Sequence, residues 1–318
     1  MMPAAISRRN FLINTALAGS IVPFITEEAL SLDNTAAINV PQIHIFSKHL
    51  QFLNYKDMAE AAKEIGFDGI DLTVRPKGHV LPERVEDDLP LALEAMKKVG
   101  FSPLLMATAV ESAENALDKK VLDTAAAHGI KYYRMNWYKY TDQKTIPESL
   151  HQYQDKVAAL SQLNKKLNIT GCYQNHAGRM VGASLFEVSE LLQKAELNFM
   201  GAQYDIRHAT LEGGLSWQTG FELIKSSIKT IVVKDFMWER ANGKWAPRNM
   251  PLGEGMVDFI TYFKLLKANN IEGPICLHLE YPLGGADQGT NKLTVPPKVV
   301  FDAMKRDLLR VKELWQQA

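Results

Sequence analysis

The stretch Met58-Ala59-Glu60-Ala61-Ala62-Lys63-Glu64-Ile65-Gly66-Phe67-Asp68-Gly69-Ile70-Asp71-Leu72-Thr73 decides the fold. Ahead of Gly66 the apolar residues recur at helical spacing, which predicts a helix over 54–66. Beyond it Ile70 and Leu72 alternate with Asp71 and Thr73, which predicts a strand over 69–73. Gly66 stands between the two, where a left-handed C-cap ends a helix. The same helix-glycine-strand junction is expected at Gly100, Gly129 and Gly273.

Working outward, strands are expected near 41–46, 69–73, 102–107, 131–136, 169–174, 199–204, 229–235 and 274–280. Helices are expected near 54–66, 88–100, 112–128, 146–167, 184–195, 217–228, 256–270 and 296–317. Eight βα units in succession predict a parallel sheet with helical crossovers. Packed into residues 40–318, they predict a single α/β domain, a closed (β/α)8 TIM barrel. An open doubly wound sheet is the rival, and it usually has a glycine-rich phosphate turn after its first strand. Here Ser47-Lys48-His49-Leu50 fills that position. The longer loops, 74–87, 137–145, 175–183, 206–216, 236–255 and 281–295, all follow strands. The elaborated surface is therefore the C-terminal mouth, where barrel enzymes keep their chemistry.

Composition narrows the function. Hydrophobic residues make up 46% of the 318 and charged residues 23%, enough for a full core without disulfide or metal staples. The 36 basic and 36 acidic side chains cancel, which removes the usual electrostatic signature of a nucleic-acid partner. Cys172 and Cys276 both fall in apolar strand-like runs and read as buried free thiols.

Ser7-Arg8-Arg9-Asn10-Phe11-Leu12 precedes a weakly apolar run over 13–25 that is interrupted by Asn14, Gly19 and Pro23. This pattern reads as a twin-arginine export signal, so 1–38 is set apart as signal and leader and 39–318 as the catalytic barrel. A periplasmic or otherwise exported location follows from that reading. The run is too short to span a bilayer, so no stable membrane insertion is expected.

Strand alternation selects the candidate site. In Ile275-Cys276-Leu277-His278-Leu279-Glu280 the Ile-Leu-Leu face should meet the helices, and Cys276, His278 and Glu280 should face the barrel. In the run Ile169-Thr170-Gly171-Cys172-Tyr173-Gln174-Asn175-His176 the inward set is Thr170, Cys172, Gln174 and His176. Other strands contribute Asp71 and Thr73, Arg134 and Asn136, Gln203 and Asp205, and Val232 with Lys234. One polar residue at a strand end is commonly just solvated or a helix cap. Many converging on one mouth would need partners without purpose unless they serve a site.

At these strand ends the chain resembles the sugar phosphate isomerase/epimerase group of the xylose isomerase-like superfamily, which includes D-tagatose 3-epimerase and inosose dehydratase. The resemblance covers roughly 42–315. It rests on Gly66-Phe67-Asp68-Gly69-Ile70-Asp71-Leu72, Gln174-Asn175-His176, Tyr204-Asp205-Ile206-Arg207-His208, Val233-Lys234-Asp235, Leu252-Gly253-Glu254-Gly255 and Glu280. The resemblance implies a divalent metal held by Glu, Asp, His and Glu from strands five to eight. Those positions fall here on Gln174, Asp205, Val232 and Glu280. Valine cannot ligate a metal, so the implied set is incomplete: Asp205 and Glu280, with Gln174 a weaker neutral donor. A site rebuilt with His176, His208 or His278 would favour Mn, Zn or Co over Mg. The glycine-bearing Leu252-Gly253-Glu254-Gly255 is expected to shape a loop rather than do chemistry.

The resemblance also implies a reaction that begins by removing a proton from carbon beside a carbonyl. Glu280 is the expected base or metal ligand, Lys234 an oxyanion stabiliser and His176 an acid or base. His208, His44, Arg134 and His278 are candidates for substrate contact. Export and the absence of a glycine-rich anion turn favour an unphosphorylated small carbohydrate. Three readings stay open: isomerase or epimerase, a lyase or dehydratase acting on a 3-keto-glycoside or inosose, and a carbohydrate-binding barrel without turnover. A homodimer is compatible with the resemblance, though no interface is visible in the sequence.

Overall fold

A computed structural model describes residues 40–318, so the twin-arginine segment lies outside the described residues. Seven barrel strands come first in the chain: β1 (Ile43–Phe46), β2 (Gly69–Val74), β3 (Leu105–Thr108), β4 (Tyr132–Arg134), β5 (Thr170–Gln174), β6 (Met200–Asp205) and β7 (Ile228–Val233). A hairpin follows, β8 (Asp235–Ala241) with β9 (Lys244–Met250), and then the last barrel strand, β10 (Ile275–Leu277). The eight barrel strands pair in parallel and close, with β10 lying between β7 and β1.

The outer ring consists of α1 (Tyr55–Ile65), α2 (Val85–Lys98), α3 (Ala116–Ala127), α4 (Ile146–Leu167), α5 (Leu185–Leu192), α6 (Ile206–Gly213), α7 (Trp217–Ile224), α8 (Phe259–Ala268) and α9 (Pro297–Gln317). Local chemistry sets their ends. Asn54 accepts the Asp57 N–H at the start of α1, and Gly66 ends it in the left-handed region at φ 103°. Thr145 and Glu148 form a reciprocal capping box on α4. Gly100 and Gly129 also have positive φ, but Gly273 does not; Asn270 takes the left-handed turn after α8 instead. Gly273 is needed for space, because a Cβ there would lie 2.4 Å from the Lys229 carbonyl oxygen.

The two strand faces bury different chemistry. Ile43, Ile45, Ile70, Leu72, Tyr133, Tyr173, Tyr204, Ile231, Ile275 and Leu277 join the large core between sheet and helices. Fully burying one such aliphatic side chain contributes about 1.5–3 kcal/mol. Inside the barrel the apolar cluster is only Phe46, Ala107, Val232 and Cys276. The rest of the inner face is polar and buried, including His44, Asp71, Thr73, Arg134, Gln174, Gln203, Asp205, Thr230 and Lys234. Cys172 and Cys276 are buried free thiols.

Two elements differ from expectation. The loop expected over 206–216 contains α6, whose N-cap is Asp205, accepting the His208 N–H at 3.2 Å. The loop expected over 236–255 contains the β8–β9 hairpin, turned by Asn242 and Gly243, both at positive φ. β10 stops at Leu277, so Glu280 lies beyond the strand. Even so, the His278 N–H still donates to the Val233 carbonyl and extends the ladder. Among the described residues no helix is long and apolar enough to cross a membrane.

Candidate functional site

The C-terminal mouth opens into a cavity of about 200 Å³. Phe46 and Lys48 enter it from the end of β1, Arg75 from β2, and Arg134 and Trp137 from β4. Gln174 and His176 come from β5, Lys234 from β7, and His278 and Glu280 from β10. Six of the sequence-chosen residues thus meet at one place: Glu280, Lys234, His176, Arg134, His278 and Gln174.

Lys234 is the hub. It is 3% exposed, and its Nζ lies 3.1 Å from Asp205 Oδ2 and 3.2 Å from Glu280 Oε2. Gln174 Nε2 donates to the same Asp205 oxygen at 2.7 Å. Asn175 grips the Asp205 backbone on both sides, donating to its carbonyl at 2.9 Å and accepting from its N–H at 2.8 Å. Burial pushes the Asp205 carboxyl up, against the pull of Lys234.

Glu280 faces two ammonium groups, since Lys48 Nζ lies 3.1 Å from its Oε1. Burial alone would raise its pKa, but Lys234, His278 and Lys48 outweigh that and hold it well below the ordinary carboxylate range. The hairpin fixes the chain at this point: Asn249 on β9 donates to the Glu280 carbonyl at 3.1 Å and accepts from Arg207 at 2.9 Å.

The histidines are held neutral. Burial, then repulsion from Lys234, brings His176 down to about 4. Its Nδ1 lies 2.9 Å from the Ala177 carbonyl, which can only accept, so Nε2 carries the lone pair. Trp137 packs against His176 at 4.7 Å and donates to the Gln174 carbonyl at 3.1 Å. His278 lies flat on Phe46 at 4.3 Å, and burial lowers it to about 3.

Three sequence-chosen residues stand behind the cavity wall. Asp205 reaches the site through Lys234 and Gln174. His208 is 3% exposed and packs behind His176 at 4.1 Å, with Nε2 3.7 Å from Asp205 Oδ2. His44 is not among the lining residues. It sits deeper, level with Gly69 and Cys276, and its ring fills the space that a side chain at 69 would need. This placement corrects its expected role as a substrate contact.

Sequence reading missed Lys48, Arg75, Phe46 and Trp137. Phe46 is the last inward position of β1, and Lys48 and Arg75 continue the alternation one step past the strand ends: His44, Phe46, Lys48 and Asp71, Thr73, Arg75. Asp235, next to Lys234, supports the loop that follows. Its carboxylate accepts the N–H groups of Phe236, Gly253, Gly255 and Val257, so Leu252-Gly253-Glu254-Gly255 shapes a loop as expected.

Residues 59–294 match the model of the xylose isomerase-like TIM barrel family. The chain belongs to that family. No curated protein matches it. Among solved structures, family-like barrels cover most of it at low identity. The 3-keto-D-glucoside 4-epimerase of E. coli is 14% identical with a TM-score of 0.63, over 85% of this chain and 99% of that one. A probable 3-DHS dehydratase from Bacillus anthracis is 15% identical with a TM-score of 0.59, over 83% and 97%. A xylose isomerase-like barrel from Mycobacterium smegmatis, in complex with magnesium, is 11% identical with a TM-score of 0.62, over 87% and 99%. At these identities the likeness is one of fold.

The metal implied by the resemblance does not fit this family member at the expected position. Val232 belongs to the apolar cluster inside the barrel. The Asp205 oxygen that would face a cation already accepts from Gln174 and lies 3.1 Å from the Lys234 ammonium. A divalent ion there would stand beside a buried like charge. Another group could hold a metal: Asp71, Cys276 and His278 place ligand atoms within 4.8 Å of one another. Its mixed O, S and N donors suit zinc rather than magnesium, and Asp71 Oδ1 and His278 Nδ1 lack hydrogen-bond partners. Against an ion, burial raises the Cys276 thiol pKa well above its ordinary value, and burial brings Asp71 up to about 6.

Proposed function

We propose that this protein is an exported enzyme that enolises a small unphosphorylated keto-sugar or keto-glycoside, with epimerisation or isomerisation as the outcome. The observation that carries this reading is the Lys234 ammonium, buried at the cavity wall between Asp205 and Glu280. A buried cation aimed at the reacting carbonyl would stabilise the negative charge that develops on its oxygen. Lys234 takes the electrostatic part that a metal would otherwise supply.

The steps follow from the residues. Glu280 is ionised at neutral pH and takes the proton from the carbon beside the carbonyl. With Lys48 and Lys234 both on it, Glu280 is a weak base. When the substrate oxygen draws Lys234 away, the carboxylate loses a counter-ion and its basicity rises. Glu280 then carries the proton and returns it, to the neighbouring carbon for isomerisation. Inversion takes a proton from solvent on the opposite face, relayed through His176 Nε2, whose lone pair must first accept it. If the enolate instead expels a neighbouring oxygen, the reaction is an elimination through the same intermediate. Barrels with this fold include both a 3-keto-D-glucoside 4-epimerase and a probable 3-DHS dehydratase. The twin-arginine reading of Arg8 and Arg9 supports a substrate met outside the cytoplasm.

The test is to incubate the protein in D2O with 3-keto-sugars, neutral and acidic, and follow the proton beside the carbonyl by NMR. Exchange is expected, followed by an epimer or by an unsaturated ketone. The product separates epimerase from lyase. No exchange with any keto-sugar would leave a carbohydrate-binding barrel without turnover.

A further inference from the structure

The charges around the cavity do not balance. Its lining has four cations, Lys48, Arg75, Arg134 and Lys234, and one carboxylate, Glu280. The whole chain has 36 of each sign, so the excess is local. Ion pairs account for the lysines: Lys234 with Asp205 and Glu280, Lys48 with Glu280. They do not account for the arginines. Arg134 is 4% exposed, and its side-chain hydrogen bond to Gln174 Oε1 is long, at 3.5 Å. Arg75 makes no side-chain hydrogen bond or ion pair among the described residues and lies over the Phe46 ring at 5.4 Å. Arg134 lies over Trp137 at 4.2 Å.

Aromatic stacking holds a guanidinium by its face and leaves its N–H edge free. Asp71 is the largest opposing charge on both arginines, with Glu280 the next carboxylate, but neither makes a hydrogen bond or ion pair with them. Arg134 stands level with Ala107 and Thr73, so Asp71 is two residues deeper in the barrel, next to the Cys276 thiol. Two arginines this close repel one another. An oxyanion supplies both the charge and the acceptors, and the guanidinium fork matches a carboxylate or phosphate edge.

We propose that Arg75 and Arg134 form an oxyanion subsite, and that the substrate is an anionic sugar, a sugar acid held by its carboxylate. This rests on the keto-sugar reading above only for the chemistry at Lys234 and Glu280. Lys48 then divides the two regions, closing on Glu280 on one side and adding charge to the anion on the other.

The test is calorimetric titration of the full chain with D-glucuronate, D-glucose and D-glucose 6-phosphate. Glucuronate is expected to bind at least tenfold more tightly than glucose, with an advantage that shrinks as salt rises. Preference for glucuronate supports the sugar-acid substrate; preference for glucose 6-phosphate overturns it, leaving only an anion site. In Arg75→Gln, a partly exposed side chain without hydrogen-bond or ion-pair partners among the described residues, the preference for the anion over glucose should vanish. Arg134→Lys keeps the charge without the fork and should lose most of the preference. Equal binding of all three sugars, no binding of any, or a preference that survives Arg75→Gln overturns the proposal. Binding is read without turnover. Proton exchange without anion preference therefore removes only the subsite, and anion preference without exchange removes only the enolising reading.

Discussion

At the scale of single residues, Lys234 carries the most weight. Replacing it with Met keeps much of the side-chain length and removes the charge that faces the reacting oxygen. Loss of one preorganised donor of this kind typically costs about 10²–10³ in kcat. Lys234→Met should fall at least that far, with near-wild-type circular dichroism; unchanged turnover would remove the lysine from the mechanism. Glu280→Gln should abolish proton exchange outright, because an amide cannot take the proton. Metal content gives an independent check. Protein purified without chelator should hold no magnesium or manganese that disappears in Asp205→Asn, since Lys234 already occupies that carboxylate. Zinc near one equivalent, lost in Cys276→Ser, would instead place an ion on Asp71, Cys276 and His278. Much of this was legible in the sequence, because alternation along β5, β7 and β10 put Gln174, Lys234 and His278 on one face. The exchange of metal for ammonium was not legible. Val232 showed that a ligand was missing, but only the 3.1 Å approach of Lys234 to Asp205 shows what faces that carboxylate instead.

At the scale of elements, the loop between β7 and α8 does the most positioning. It was read as irregular, yet it carries the β8–β9 hairpin and brings Asn249 against Glu280 and Arg207. The signal was present in Asn242-Gly243 between aromatic-bearing runs, the usual two-residue hairpin turn. Barrel periodicity gave no reason to look for a hairpin there, since it is an addition to the βα unit. Asn249→Ala should therefore raise KM and lower kcat together with little change in melting temperature, because a clamp on the site is lost and no core is exposed. Asp235 is the opposite case. Its carboxylate accepts four backbone N–H groups, and Asp235→Ala leaves them unpaired at the base of the hairpin. Hydrogen bonds to a charged group contribute roughly 1.5–3 kcal/mol each and are not additive, so a loss of at least about 3 kcal/mol is expected. Urea denaturation reads it directly; a midpoint within error of wild type would show that the loop holds itself. The last strand, expected over 274–280, is shorter in the structure. β10 ends at Leu277 by pairing, while its side-chain alternation runs on to Glu280, so pattern located the functional residues better than the ladder did.

At the scale of the whole molecule, a polar barrel interior has a consequence for stability. Six of the eight histidines, His44, His49, His79, His176, His208 and His278, have pKa values lowered chiefly by burial. His44, His79 and His176 fall to about 4 and His278 to about 3. An unfolded histidine titrates near 6.5, so between there and 4 the unfolded chain binds protons that the fold refuses. Stability is thus fully present above 6.5 and is lost as pH falls through that window. Asp71 works in the other direction: burial raises it to about 6, so the folded state binds one proton more readily there. Burial likewise raises Asp118, Asp205, Asp235 and Asp307, so these carboxyls offset part of the effect, and the histidines set its sign in the range where an unfolded imidazole takes up protons. Melting temperature should be flat from pH 8 to 7 and then fall steeply between 6.5 and 5, with proton uptake visible as a buffer-dependent unfolding enthalpy. A flat melting profile down to pH 5 would mean that the buried histidines gain acceptors on protonation, with Asp205 and Glu280 the nearest to His208 and His278.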